Sequence, residues 1–119
     1  MVHHGEFLRA ACKDDLLVYH LERDWRQASL DAADVAMLNF VEKLNGKPGQ
    51  VLQEDIDALR AAGFDDRNVL DIVMICAAYN FMNRLADGVG LPAEEGYLRI
   101  RARRDKQVEE ELGIAIPAE

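Results

Sequence analysis

A chain of 119 residues with 50% apolar and 30% charged side chains has the make-up of a globular domain with one modest core. Its formal net charge of −8 and pI near 4.8 argue against nucleic acid and against anionic membrane surfaces, since both ask for a basic face. Cys12 and Cys76 stand apart, in neither C-x-x-C nor zinc-ligand spacing, and no long apolar run or leader segment is evident, so a cytoplasmic protein with reduced thiols and no membrane span is expected.

Helix signals dominate and no strand pattern competes with them. Phe7, Leu8 and Ala11 recur at helical spacing and predict a helix from Val2 to Cys12, ending near Lys13. Asp14 or Asp15 then caps a second helix carrying Leu16, Leu17 and Leu21. "RDWRQAS" is a connector, with Trp25 expected against the core. In "LDAADVAMLNFVEKLNGKPG", Asp31 is a candidate N-cap and Asp34 suits the positive end of the helix dipole. Val35, Leu38, Val41 and Leu44 form its apolar stripe, widened by Met37 and Phe40, and Asn45-Gly46 with Pro48 stops it. "LQEDIDALRAAGFDD" is a shorter unit with Ile56 and Leu59 inward and Gly63 as a left-handed stop.

The next helix, capped by Asp65, is apolar almost all round from Val69 to Ala86 and is therefore expected to be buried. Its polar exceptions Asn80, Asn83, Arg84 and Asp87 fall on one stripe. Gly88, Gly90 and Pro92 close it. Residues 94–119 form a charged tail, basic first and acidic after, with i,i+4 pairs such as Lys106 to Glu110. Tyr97, Ile100, Val108 and Leu112 are too sparse for an independent core, which places the tail at the surface or against a partner subunit. The expected fold is all-α: one domain over residues 1–119, about five helices packed around Val69–Ala86.

The segments "LDAADVAMLNFVEKLNG" and "VLQEDIDALRAAGFDDRNVLDIVMICAAYNFMNRLADGVG" carry a resemblance. Over residues 30–90 the chain resembles the carboxymuconolactone decarboxylase superfamily, and within it the peroxidase-related branch of alkylhydroperoxidase D-like (AhpD-like) proteins. That likeness implies an AhpD-like helical bundle, homo-oligomers (dimers or higher), no cofactor, and thiol-dependent reduction of organic hydroperoxides with a dithiol reductant protein as partner. The family places C-x-x-C on a helix and a histidine four positions after the second cysteine. The opening "MVHHG" then puts His4 on the family's histidine, a proton relay, with the cysteine pair falling just upstream of residue 1. The family's glutamate belongs to preceding helices. One thiolate attacks the hydroperoxide and a second thiol resolves the product as a disulfide. No such pair occurs in these 119 residues, so no turnover is expected of the chain itself. Two other readings stand beside this one: a non-catalytic oligomeric helical binding module, and a decarboxylase-type enzyme, which "YNFMNRLADG" disfavours.

Among candidate site residues, His3 and His4 point about 100° apart on a helix and cannot both face one site. No spacing supplies a third ligand to them, so no metal is expected. Cys12 reads as a small packed residue at a helix end and Cys76 as a buried, inert thiol. Glu6, near His4, could orient it, but reads rather as a solvent-facing side chain on the first turn. The stripe of Asn80, Asn83, Arg84 and Asp87 is expected to be a structural network in a buried helix, with Arg84 paired to Asp87 or another carboxylate. The alternative is that it lines a pocket or a subunit contact.

Overall fold

The computed structural model describes residues 2–114, with side chains from His4 onward. It contains six α-helices and no strand among the described residues, so the all-α expectation holds with one more helix than counted from the sequence. They are α1 (Val2–Cys12), α2 (Asp15–Arg23), α3 (Ala32–Gly46), α4 (Gln53–Ala61), α5 (Asp66–Gly88) and α6 (Glu95–Leu112). Single 3-10 turns at Trp25–Gln27 and Pro48–Gln50 follow α2 and α3. The extra helix is the charged tail. The chain divides into two compact units, Leu30–Leu91 on one hand and Met1–Ser29 with Pro92–Glu119 on the other.

The unit of α3, α4 and α5 is built on apolar contact. Asp31 caps α3 by accepting from the Asp34 N–H at 2.8 Å, and Asp65 caps α5 reciprocally with Asn68. Phe40, Leu59 and Val69 form the buried centre, with Ala36, Met37, Val41, Leu44, Ile56 and Ile72 packed around it. The inward stripe of α3 is thus Ala36–Met37–Phe40–Val41–Leu44, rotated from the three-residue series that began at Val35, which is 37% exposed. A strict spacing of three drifts around a helix of 3.6 residues per turn, so Val35 and Leu44 cannot share one face. Gly63 does adopt the left-handed conformation (φ 103°) that turns α4 towards α5. Asp55 accepts from the Leu52 N–H at 2.7 Å and from Lys43 Nζ at 2.6 Å, which fastens α4 to α3. The backbone donor first, and then the ammonium, hold its carboxyl below the usual aspartate range.

The helix α5 departs from expectation. Only Val69 and Cys76 are buried, while Leu70, Met74, Ile75, Phe81, Met82 and Leu85 are each about half exposed or more. Packing against α3 and α4 covers one face of a helix that is apolar on several. By length and composition alone this helix is also apolar enough to cross a membrane, which the sequence expectation missed because isolated polar residues interrupt the run.

The other unit joins α1, α2 and α6 by charge. Here the tail is neither loose nor bare: Arg104, Asp105 and Val108 of α6 are buried against α1 and α2. Val18 and Tyr19 are the buried residues of α2, whereas Leu16 is 42% exposed. Asp14 caps α2 by accepting from the Leu17 N–H at 2.8 Å. Trp25 is half-buried, with the Arg26 guanidinium 4.6 Å from its ring centroid.

The Arg104 guanidinium is nearly inaccessible and donates to Glu6 at 3.2 Å, to Glu22 at 2.7 Å and to Asp105. Arg101 adds a second cation to Glu22 at 3.1 Å, and Arg23 bridges Asp105 and Glu109. Burial alone would lower the Arg104 pKa, but the hydrogen bonds it donates to Glu22 and Asp105, with their charges, outweigh it and leave the value above that of an ordinary arginine. Apolar area is sparse in α6, as expected, and buried ion pairs take its place.

Gly5 sits where this network leaves no room. A Cβ there would overlap Glu22 Oε1 and lie 3.1 Å from Glu22 Cδ. The Glu22 carboxylate cannot step aside freely, because Arg101 and Arg104 hold its other oxygen. We expect Gly5→Ala to cost about 1–3 kcal/mol of stability, as overpacking does. Gly46→Ala, which meets nothing within 4 Å, is the control for thermal unfolding. Equal melting of both variants would refute the steric account.

Candidate functional site

His4 lies in the first turn of α1 with an exposed side chain, and the side chain of His3 lies outside the described residues. Directly after His4 come Gly5 and Glu6, both buried. Glu6, expected in solvent, instead accepts from Arg104 at 3.2 Å and from Arg9 Nε at 2.8 Å. A buried arginine on α6 draws it in, a partner too remote in sequence to be foreseen. Glu22 Oε1 is a buried acceptor with no hydrogen-bond partner among the described residues, next to the α1 turn that carries His4. Its other oxygen is paired with both Arg101 and Arg104.

Cys12, expected to be packed, is exposed at the end of α1. Cys76 is buried, as its apolar surroundings suggest, and its thiol donates to Asn45 Oδ1 at 3.0 Å. The two cysteines belong to different units. Among the described residues no group of three His, Cys, Asp or Glu side chains is placed to hold a metal ion.

The polar stripe of α5 belongs to the other unit and is organised around Asn80. The Asn80 Nδ2 donates to Asn45 Oδ1 and to the Cys76 carbonyl at 2.9 Å. Arg84 Nη1 donates back to Asn80 Oδ1 at 2.7 Å and to the Asn80 carbonyl at 3.3 Å. Arg84 is exposed and, among the described residues, pairs with no carboxylate, so the expected buried pair with Asp87 is not formed. The reason is the bare outer side of α5, which leaves Arg84 hydrated. Asp87 is exposed as well. Asn83 lines an open groove of about 350 Å³ with Met37, Ile75 and Tyr79. On the stripe, then, Asn80 and Arg84 are bonded together, Asn83 borders a groove, and Asp87 joins neither.

Asn45 was missed as a site residue. In the sequence it is half of an Asn-Gly helix stop, and nothing local distinguishes a stop from an anchor. Here it accepts from both Cys76 and Asn80 and borders two hollows. Chemically the arrangement offers amide and guanidinium donors beside apolar walls, and a thiol shielded by its own hydrogen bond.

Two solved structures are similar to this chain. One is that of an uncharacterized peroxidase-related protein from Silicibacter sp. TM1040, 31% identical, with a TM-score of 0.77 over 81% of this chain and 50% of that one. The other is an alkylhydroperoxidase AhpD core, an uncharacterized peroxidase-related protein from Ralstonia eutropha JMP134, 30% identical, with a TM-score of 0.75 over the same shares. The chain spans about half the length of each. No family model matches it, and no curated protein does.

Proposed function

The chain belongs to the AhpD-like, peroxidase-related proteins, and on that premise we propose that these 119 residues act as a helical module of the family without peroxidase turnover of their own. The observation that supports this is the state of the thiols. Reduction of a hydroperoxide takes one thiolate to attack the O–O bond and expel an alcohol, then a second thiol to displace hydroxide and close a disulfide. Cys12 is exposed and Cys76 is buried in the other unit, and the sequence holds no C-x-x-C. The likeness gives His4 the place of the family's proton relay, and these 119 residues hold no C-x-x-C for such a relay to serve.

We expect no consumption of cumene hydroperoxide above the reagent blank with a dithiol reductant. Robust turnover that disappears in Cys12→Ser would overturn the reading and make Cys12 the nucleophile. A second reading is the family's thiol reaction itself, with His4 as relay and a dithiol reductant protein as partner. The likeness to peroxidase-related proteins favours it. The genomic DNA before the Met1 codon decides between the two: an in-frame C-x-x-C directly upstream supports thiol chemistry, and its absence supports the module.

The module reading includes self-association. Leu70, Met74, Phe81 and Leu85 recur along one side of α5, each about half exposed or more, and a second copy laid on that side removes them from water. Light scattering at micromolar concentration should give a multiple of 13.4 kDa, and a monomer mass would end this part of the proposal.

A further inference from the structure

Arg84 is exposed in a chain of net charge −8, yet a neutral amide, not a carboxylate, is what it bonds. Its guanidinium borders a hollow of about 300 Å³ whose apolar lining is Leu44, Pro48 and Val73 and whose polar lining includes Asn45 and Asn80. We propose that this hollow binds a small monocarboxylate with a short apolar body, the carboxylate held by Arg84 and Asn45.

The hydrogen-bond inventory makes the choice. Asn45 Oδ1 is taken by the Cys76 thiol and by Asn80 Nδ2. Asn80 Oδ1 is taken by Arg84 Nη1, and the Cys76 carbonyl by Asn80 Nδ2. Each of these acceptors already holds at least one donor, while among the described residues the Asn45 amide nitrogen and Arg84 Nη2 and Nε make no hydrogen bond. A site left with donors, one of them cationic, is complementary to a group that only accepts, and an ionised carboxylate is that group. Asn80 also fixes the guanidinium from behind, so part of the ordering cost of binding is met before the ligand arrives. Leu44, Pro48 and Val73 make the remaining wall apolar, which suits a hydrocarbon body and disfavours inorganic phosphate. A hollow of about 300 Å³ lies at the small end of ligand sites and limits that body to a few carbons. This inference uses no thiol and stands apart from the peroxidase question.

The test titrates the 119-residue chain with hexanoate, hexanol, hexylamine and inorganic phosphate, following the side-chain amide resonances of Asn45 and Asn80. Hexanoate should saturate both and bind at least about tenfold more tightly than hexanol, as a charge-assisted contact allows, while hexylamine and phosphate leave them unmoved. Arg84→Gln should weaken hexanoate by about tenfold or more and leave the hexanol response and the melting temperature as in the parent. Equal binding of hexanoate and hexanol overturns the proposal. So does phosphate binding as tightly as hexanoate, an unaltered response in Arg84→Gln, or resonance changes that lie away from Asn45 and Asn80. Should Arg84→Gln not fold, the comparison of the four compounds on the parent decides alone.

Discussion

Arg104→Ala should destabilise the unit of α1, α2 and α6 by about 3–5 kcal/mol, the range for removing one member of a buried ion network. The guanidinium is 3% exposed and answers Glu6, Glu22 and Asp105 at once. Without it, three carboxylates drawn from three helices face one another, and Glu22 Oε1 already lacks a partner among the described residues. Of the three, Asp105 keeps Arg23, Glu22 keeps Arg101, and Glu6 keeps Arg9. The loss is therefore large but short of stranding every charge. Arg99→Ala is the control: its pair with Glu95 joins side chains 81% and 83% exposed, and such surface pairs are worth little. Thermal unfolding of the two variants gives the answer. If Arg104→Ala melts with Arg99→Ala, the network is an ornament of the surface and not the fastening of α6.

Leu59→Ala is the second large effect, in the other unit. Leu59 is 1% exposed and packs with Phe40 and Val69 at the centre of α3, α4 and α5. Truncation removes transfer free energy and leaves a cavity, so a loss of about 2–5 kcal/mol is expected. Leu52→Ala, at a residue 57% exposed, should stay within about 0.5 kcal/mol. Denaturant unfolding measures both. A Leu59→Ala loss below about 1 kcal/mol would mean that this centre is loosely packed.

Local chemistry was legible in the sequence. The caps Asp14, Asp31 and Asp65, the stop at Gly63 and the inward Leu59 all depend on neighbours within a turn or two, and all stand where the sequence puts them. What was illegible depends on distant partners. Nothing near Glu6 announces an arginine on α6, and nothing near Arg104 announces Glu6 and Glu22. The burial of α5 was inferred from its own composition, but composition states what a helix can bury, not how much neighbour it has. The same limit governs the polar stripe. Its spacing put Asn80 and Arg84 together correctly, and the anchor Asn45 arrives from another helix. His4 takes its proposed role from the likeness alone, and the two residues that follow it on α1, Gly5 and Glu6, lie against Glu22 of α2 and Arg104 of α6.

One unit is fastened by charge and the other by hydrocarbon, and the two therefore carry different thermal signatures. Exposing apolar surface raises heat capacity and exposing polar surface lowers it, so the cluster of Phe40, Leu59 and Val69 adds curvature to the stability of its unit. Cooling weakens that unit, because hydrophobic burial fades in cold water. The cluster around Arg104 behaves the other way in heat, where hydration of free charges becomes less favourable and pairing costs less to maintain. Amide exchange followed separately in α4 and in α6 should therefore show different temperature dependences: protection of α4 falls as the solution is chilled, and protection of α6 is better kept as it is warmed.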